Sequence, residues 1–153
     1  MVVDSYLLRE RIEAADIEGW RGLLPDRCGI IAANLFGDVF IRDGSGAIHM
    51  LDVGAGTIEP ICESEAEFRT RCVADEDGWL LRHLADRCRD AGLVPAPGQC
   101  YAFTTLPIFG GEYVPSNVWL CSWKEWLAVT ADIYMQTKDL PDGTRILLDT
   151  GDG

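Results

Sequence analysis

The chain has 153 residues, 48% hydrophobic and 25% charged, with 25 Asp+Glu against 13 Lys+Arg and a formal net charge of −12. That length fits one domain, 1–153, able to bury roughly 70% of the surface its unfolded form exposes, and the composition excludes collagenous, coiled-coil and wholly disordered chains. No apolar run approaches the roughly 20 residues that cross a bilayer, and so acidic a surface repels phosphate backbones and anionic lipid, so neither nucleic acid nor membrane is an expected partner.

The N-terminus carries no basic run ahead of an apolar stretch, which argues against a secretory leader and for a cytoplasmic protein. Residues 1–27 read as a short helical lead. Leu8 and Ile12 are four apart, as are Arg9 and Glu13, which predicts a helix over 5–15. A second short turn over 16–24 ends at Pro25.

The period then changes. Residues 28–34 are short and apolar, and 38–42 are β-branched and aromatic. Asp43-Gly44-Ser45-Gly46 is turn chemistry, 47–52 is a returning strand, and Gly54-Ala55-Gly56-Thr57 turns again into 58–62. This is the pattern of an antiparallel meander, with apolar residues on both strand faces and hence cover on both.

Ser64-Glu65-Ala66-Glu67 forms a capping box ahead of a helix carrying Phe68 and Cys72. Asp75-Glu76-Asp77 is expected at the N-terminus of the next helix, where the macrodipole favours negative charge. That helix buries Leu84 and Cys88 and stops at Gly92. Residues 99–105 read as a strand interrupted by the Pro107 to Gly111 segment, and 117–121 as another. Ser122-Trp123-Lys124-Glu125 is a second capping box; Trp123, Leu127, Thr130 and Tyr134 follow at helical spacing. Residues 145–149 read as a last strand or tail. The sum is an α+β fold: an antiparallel meander sheet of about five strands, with helices at its face and ends.

The candidate chemical motifs are weak. Asp149-Thr150-Gly151 spells an aspartic-protease tripeptide, but that chemistry needs a second facing copy. Asp75-Glu76-Asp77-Gly78 lacks the later oxygen ligands of a calcium loop. Gly44-Ser45-Gly46 precedes a strand and not a helix, so it is no dinucleotide loop. None of the six cysteines forms a C-x-x-C pair; Cys72, Cys88, Cys100 and Cys121 read as small buried hydrophobes. His49 and His83 have no local thiol partner. No catalytic residue, metal site or cofactor is expected. Of the five tryptophans most should be core, with Trp123 or Trp126 partly exposed and able to anchor a partner.

Four blocks together resemble a known family. They are Asn34-Leu35-Phe36-Gly37-Asp38-Val39-Phe40 with Ile48 to Asp52; Gly98-Gln99-Cys100-Tyr101-Ala102-Phe103; Pro107-Ile108-Phe109-Gly110-Gly111-Glu112-Tyr113; and Gln136-Thr137-Lys138-Asp139-Leu140-Pro141-Asp142-Gly143-Thr144. Over about 34–146 the chain resembles the C-terminal domain of Tdi-type proteins, bacterial immunity proteins for type VI secretion DNase effectors, often found with a GAD-like region. Gly110, Gly111, Lys138, Asp139, Pro141, Asp142 and Gly143 carry the most specific part of that likeness. The resemblance implies a binder and not an enzyme: a cytoplasmic antitoxin that occludes a secreted toxin. A nuclease groove is basic, so an acidic chain suits it as a partner. Asp75, Glu76, Asp77, Glu112 and Trp123 are the expected partner-binding residues. The alternative is a general protein-interaction or regulatory module with no toxin partner.

Overall fold

Gly-rich turns between β-branched and aromatic runs fold back on themselves, and here they build a meander. In the computed structural model, which describes residues 3–140, β1 (Cys28–Ala33), β2 (Val39–Asp43), β3 (Ile48–Asp52) and β4 (Thr57–Cys62) pair antiparallel in that order. Helices α1 (Glu65–Ala74) and α2 (Arg82–Asp90) follow, then β5 (Gln99–Phe103), β6 (Val118–Ser122) and α3 (Trp123–Thr137). The fold is α+β. The later strands do not extend the meander: β5 and β6 form a separate two-stranded antiparallel ribbon. That ribbon meets the main sheet through the backbone bond from Tyr101 N–H to Leu35 O, 2.7 Å.

β2 is an inner strand, and Val39, Phe40 and Ile41 are all fully buried. Alternation sends them to opposite faces. Val39 and Ile41 join Trp20, Phe36, Tyr101, Trp126 and Leu127 on one side. Phe40 joins Ile48, Phe68, Cys72, Trp79 and Leu80 on the other. Cover on both faces is thus met, with Phe40 and Phe68 rings 4.6 Å apart on one side and Phe36 and Phe103 5.6 Å apart on the other.

The layers are tied by one turn. Asn34 is fully buried, and its Oδ1 accepts from the N–H groups of Phe36 (2.9 Å) and Asp38 (3.1 Å). Its Nδ2 donates to Asp38 Oδ2 (3.0 Å) and to the carbonyl of Trp79 (2.9 Å). Asp38 Oδ1 accepts from Val53 N–H at the end of β3, and Trp126 Nε1 of α3 donates to Phe36 O. Gly37 closes the turn at φ +81°, and a Cβ there would lie 2.9 Å from Trp126 Cδ1, so only glycine fits.

Both caps form. Ser64 Oγ accepts from Glu67 N–H, and Glu67 reaches back one residue further than expected, to Glu63 N–H. Ser122 Oγ accepts from Glu125 N–H, but the Glu125 side chain makes no return bond in those observed, so this end is a simple N-cap and not the expected box. Cys72, Cys88, Cys100 and Cys121 are buried, as their apolar settings required.

The lead departs from expectation. No α-helix spans 5–15. A short 3₁₀ turn (Val3–Tyr6) gives way to extended chain, and Leu7 bridges Asn34 while Leu8 N–H donates to Ala33 O. Pairing with β1 and burial of Leu7 and Ile12 outweigh the weak local helix signal. Residues 14–23 form the expected turn as a kinked 3₁₀ segment that buries Ile17 and Trp20. Helix α1 guards both outer strands: Arg69 donates to Ile31 O of β1 and Arg71 to Ile61 O of β4, where Pro60 offers no N–H.

Asn34→Ala would orphan the Trp79 carbonyl and two backbone N–H groups in the core. At about 1–3 kcal/mol for each unsatisfied group, urea denaturation should show a loss of about 3 kcal/mol or more. Asn34→Asp, which keeps the acceptor but loses the donor and adds a charge beside Asp38, should recover part of its loss as pH falls.

Candidate functional site

The Pro107 to Gly111 segment cannot continue a strand, and it folds into a braced loop. Pro107–Phe109 makes a 3₁₀ turn ended by Gly110 at φ +87°. Asn117 clamps the two sides: its Oδ1 accepts from Thr105 N–H, and its Nδ2 donates to the carbonyls of Thr105 and Glu112, each at 2.9 Å. Gly111 N–H donates to Leu106 O. A Cβ on Gly111 would fall 1.8 Å from the Thr105 carbonyl oxygen. Gly110 is therefore required by backbone sign and Gly111 by closeness. Ile108 N–H donates to Gly54 O, which docks the loop on the turn after β3.

This bracing presents apolar side chains to solvent. Between the loop, β6 and α3 runs a groove of about 560 Å³ with Phe103, Leu106 and Trp126 inside it. Its walls carry Phe109 (41% exposed), Trp119 (46%) and Val129 (45%). Ile108 and Tyr113 of the same loop are also exposed. Large exposed apolar groups grouped in this way mark interaction surfaces more often than scattered ones do.

A second feature shares Phe103 with the groove. Asp38 and Asp52 border a cleft of about 290 Å³ with Met50, Trp79, Phe103 and Tyr113. Burial, then the Asp52 charge, pushes the Asp38 carboxyl well above the usual carboxylate range. Burial likewise raises Asp52, while hydrogen bonds from the 54 and 55 N–H groups and from Asp38 oppose the rise. Both carboxyls thus hold a proton more readily than a free aspartate does. Acid–base enzymes use such pairs. Here, however, Asp38 holds Asn34 and Val53, and Asp52 Oδ1 accepts from Ala55 N–H, so the pair's oxygens fasten two turns.

The expected site residues scatter. Asp75 does not start a helix: at φ +50° it is the left-handed C-cap of α1, and α2 begins only at Arg82. Its Oδ1 accepts from Leu80 N–H and its side chain is 5% exposed beside Arg82. Asp77 is held by two bonds from Arg71, 2.7 and 3.1 Å. Glu76 and Asp77 are both exposed, and of the triplet Glu76 alone has no hydrogen bond or ion pair in the bonds observed. The reason is that a carboxylate near a freed backbone N–H or an arginine is captured locally. Trp123 is 3% exposed and Trp126 4%, so neither is the exposed tryptophan; that is Trp119. Glu112 is exposed on the braced loop. Lys138 pairs with Asp139 at the end of α3. Pro141, Asp142 and Gly143, the strand over 145–149 and the Asp149-Thr150-Gly151 tripeptide lie outside the described residues.

Of the histidines, His49 Nε2 lies 2.7 Å from Asp43 Oδ2, and His83 is exposed. The His49 bond, followed by bonds from Ser45, holds Asp43 well below the usual range. Among the described residues, no group of three or more His, Cys, Asp or Glu could hold a metal ion. No helix among them is long and apolar enough to cross a membrane. Sequence reasoning missed Trp119, Phe109 and Val129. Only the glycines after Phe109 hinted at exposure.

Gly111→Ala should force the loop off Thr105 and lower stability by about 1–3 kcal/mol, as overpacking does; a thermal melt reads it. Gly110→Ala, strained only in backbone, should cost about 1–2 kcal/mol. The carboxyl pair sets a pH dependence. Asp38 binds its proton more tightly folded than unfolded, so its contribution falls as pH rises from the unfolded value near 4 through the raised folded one. Asp52→Asn removes the facing charge and should flatten that decline in urea melts between pH 4 and 8. No protein-family model matches the chain, and no curated protein matches it, so the site rests on its geometry.

Proposed function

We propose that the chain is an immunity-type inhibitor. It acts in the cytoplasm by binding a basic toxin, a nuclease of the type VI secretion class, and occluding the groove with which that toxin holds nucleic acid. The observation that carries this reading is an exposed aromatic groove on a chain of net charge −12. Apolar anchors supply affinity at the centre of an interface, and a surrounding negative field speeds encounter with a basic partner. The blocks over 34–146 that resemble Tdi-type immunity domains support the same reading. The acidic charge also disfavours competition for the nucleic acid itself, so occlusion takes place on the toxin.

Co-expression with a toxin encoded beside it tests the proposal. The chain should restore growth and co-purify with the toxin, and association should slow as salt rises. A toxin that kills equally with and without the chain, and does not co-purify, ends the reading. Glu76→Lys should slow association by roughly two- to fivefold with little change in the dissociation rate, since a rim charge steers more than it holds. Stopped-flow measurement of both rates separates the two.

A further inference from the structure

We propose that the groove between residues 104–109, β6 and α3 receives a basic segment of a partner protein, which lays one large apolar side chain against Trp119 and sets its cations on α3. This deepens the binding function proposed above and rests on its basic partner.

The groove's chemistry divides along α3. Trp126, Val129 and Ile133 follow one another at helical spacing and form its apolar wall. Glu125 lies four residues before Val129, and Asp132 three after it, so both stand on the same outward face. Both are exposed. Neither is neutralised by a cation in the bonds observed: Glu125 uses its backbone N–H to cap on Ser122, and Asp132 accepts from the neutral amide of Gln136 at 3.0 Å. Lys124 sits away from this rim, over the ring of Trp123. An apolar slot bordered on its long side by two carboxylates is complementary to a segment that alternates large apolar groups with Lys or Arg.

Other occupants fit less well. A second copy packed across a twofold axis would set Glu125 and Asp132 against their own counterparts, with a net charge of −12 on each copy. An anionic lipid surface is repelled by the same rim. The braced loop favours a specific segment over a loose hydrophobic contact. The backbone that carries Phe109 is held by the Asn117 clamp and the Gly110–Gly111 turn, so the groove's loop wall is in place before anything binds and little backbone ordering is required.

The probe is a synthetic nonapeptide, acetylated and amidated, with a Leu-Phe-Leu centre between two Lys-Arg-Lys arms. Two controls accompany it: one with the arms changed to Ser and Gln, one with the centre changed to Ser. Heteronuclear NMR of the full chain should show saturable shifts at the Trp119 indole N–H and the Val129 and Ile133 methyls. Trp119→Ala should weaken binding about tenfold or more, as loss of an anchor does. Glu125→Lys with Asp132→Lys should weaken it and remove most of its salt dependence. All three side chains are exposed, so an unchanged Tm shows that the fold is kept. The proposal is overturned if shifts fall elsewhere, if either control peptide binds as well, if the variants bind like the parent, or if Trp119 shifts with protein concentration alone, which would mark a second copy as occupant. Peptide binding without toxin rescue would sink only the immunity reading. Rescue that persists in Trp119→Ala and in the charge-reversed variant would sink only the groove.

Discussion

A single buried amide holds the architecture together. Asn34 spends both of its side-chain ends inside the core, accepting from the turn it sits in and donating to Asp38 and to the Trp79 carbonyl 45 residues away. Through Asp38 it reaches the end of β3, and through the Phe36 carbonyl it meets α3. An amide is suited to this place because it both donates and accepts without charge. The site depends on it in turn. The 52–56 turn that Asp38 and Asp52 fasten is the one on which the exposed loop docks through Gly54 and Ile108. A polar core element thereby fixes where an apolar surface element stands.

What the sequence announces is whatever depends on neighbours along the chain. The turns around Gly44–Gly46 and Gly54–Gly56, the caps at Ser64 and Ser122, and the apolar settings of Cys72 and Cys100 all follow from local chemistry, and all are found. What it conceals depends on contacts made across the fold. Leu7 and Leu8 look helical until β1 offers them a strand to pair with. Asp75 looks like a helix start until its backbone turns left-handed and its carboxylate is drawn to Leu80. Trp119 looks like core because its strand is apolar; the groove it borders is assembled from a loop and a helix that no short window contains. Splitting of the strands into a sheet and a ribbon has the same origin, since their backbones meet through turns, Tyr101 to Leu35 and Ile108 to Gly54, and not strand to strand.

The acidity is similarly uneven in what it can do. Asp43 serves its own turn and His49, Asp77 serves Arg71, Glu65 contacts Arg42 and Arg69, and Asp38 and Asp52 fasten the turns around Asn34, Val53 and Ala55. These carboxylates are occupied by the fold. Glu76, Glu112, Glu125 and Asp132 stand at the exterior. A net charge therefore describes long-range attraction, whereas recognition at contact distance belongs to the few anions that the fold has not already used.

An open sheet ordinarily invites further strands to add at its rims, and chains with apolar sheets risk fibrillar growth by that route. The arginines of α1 change this. One guanidinium occupies the Ile31 carbonyl, another the Ile61 carbonyl, Leu8 takes that of Ala33, and Pro60 withholds a donor. At these positions the rims are already taken, so the molecule displays a hydrophobic surface for recognition while part of its strand ladder is withheld from any added strand.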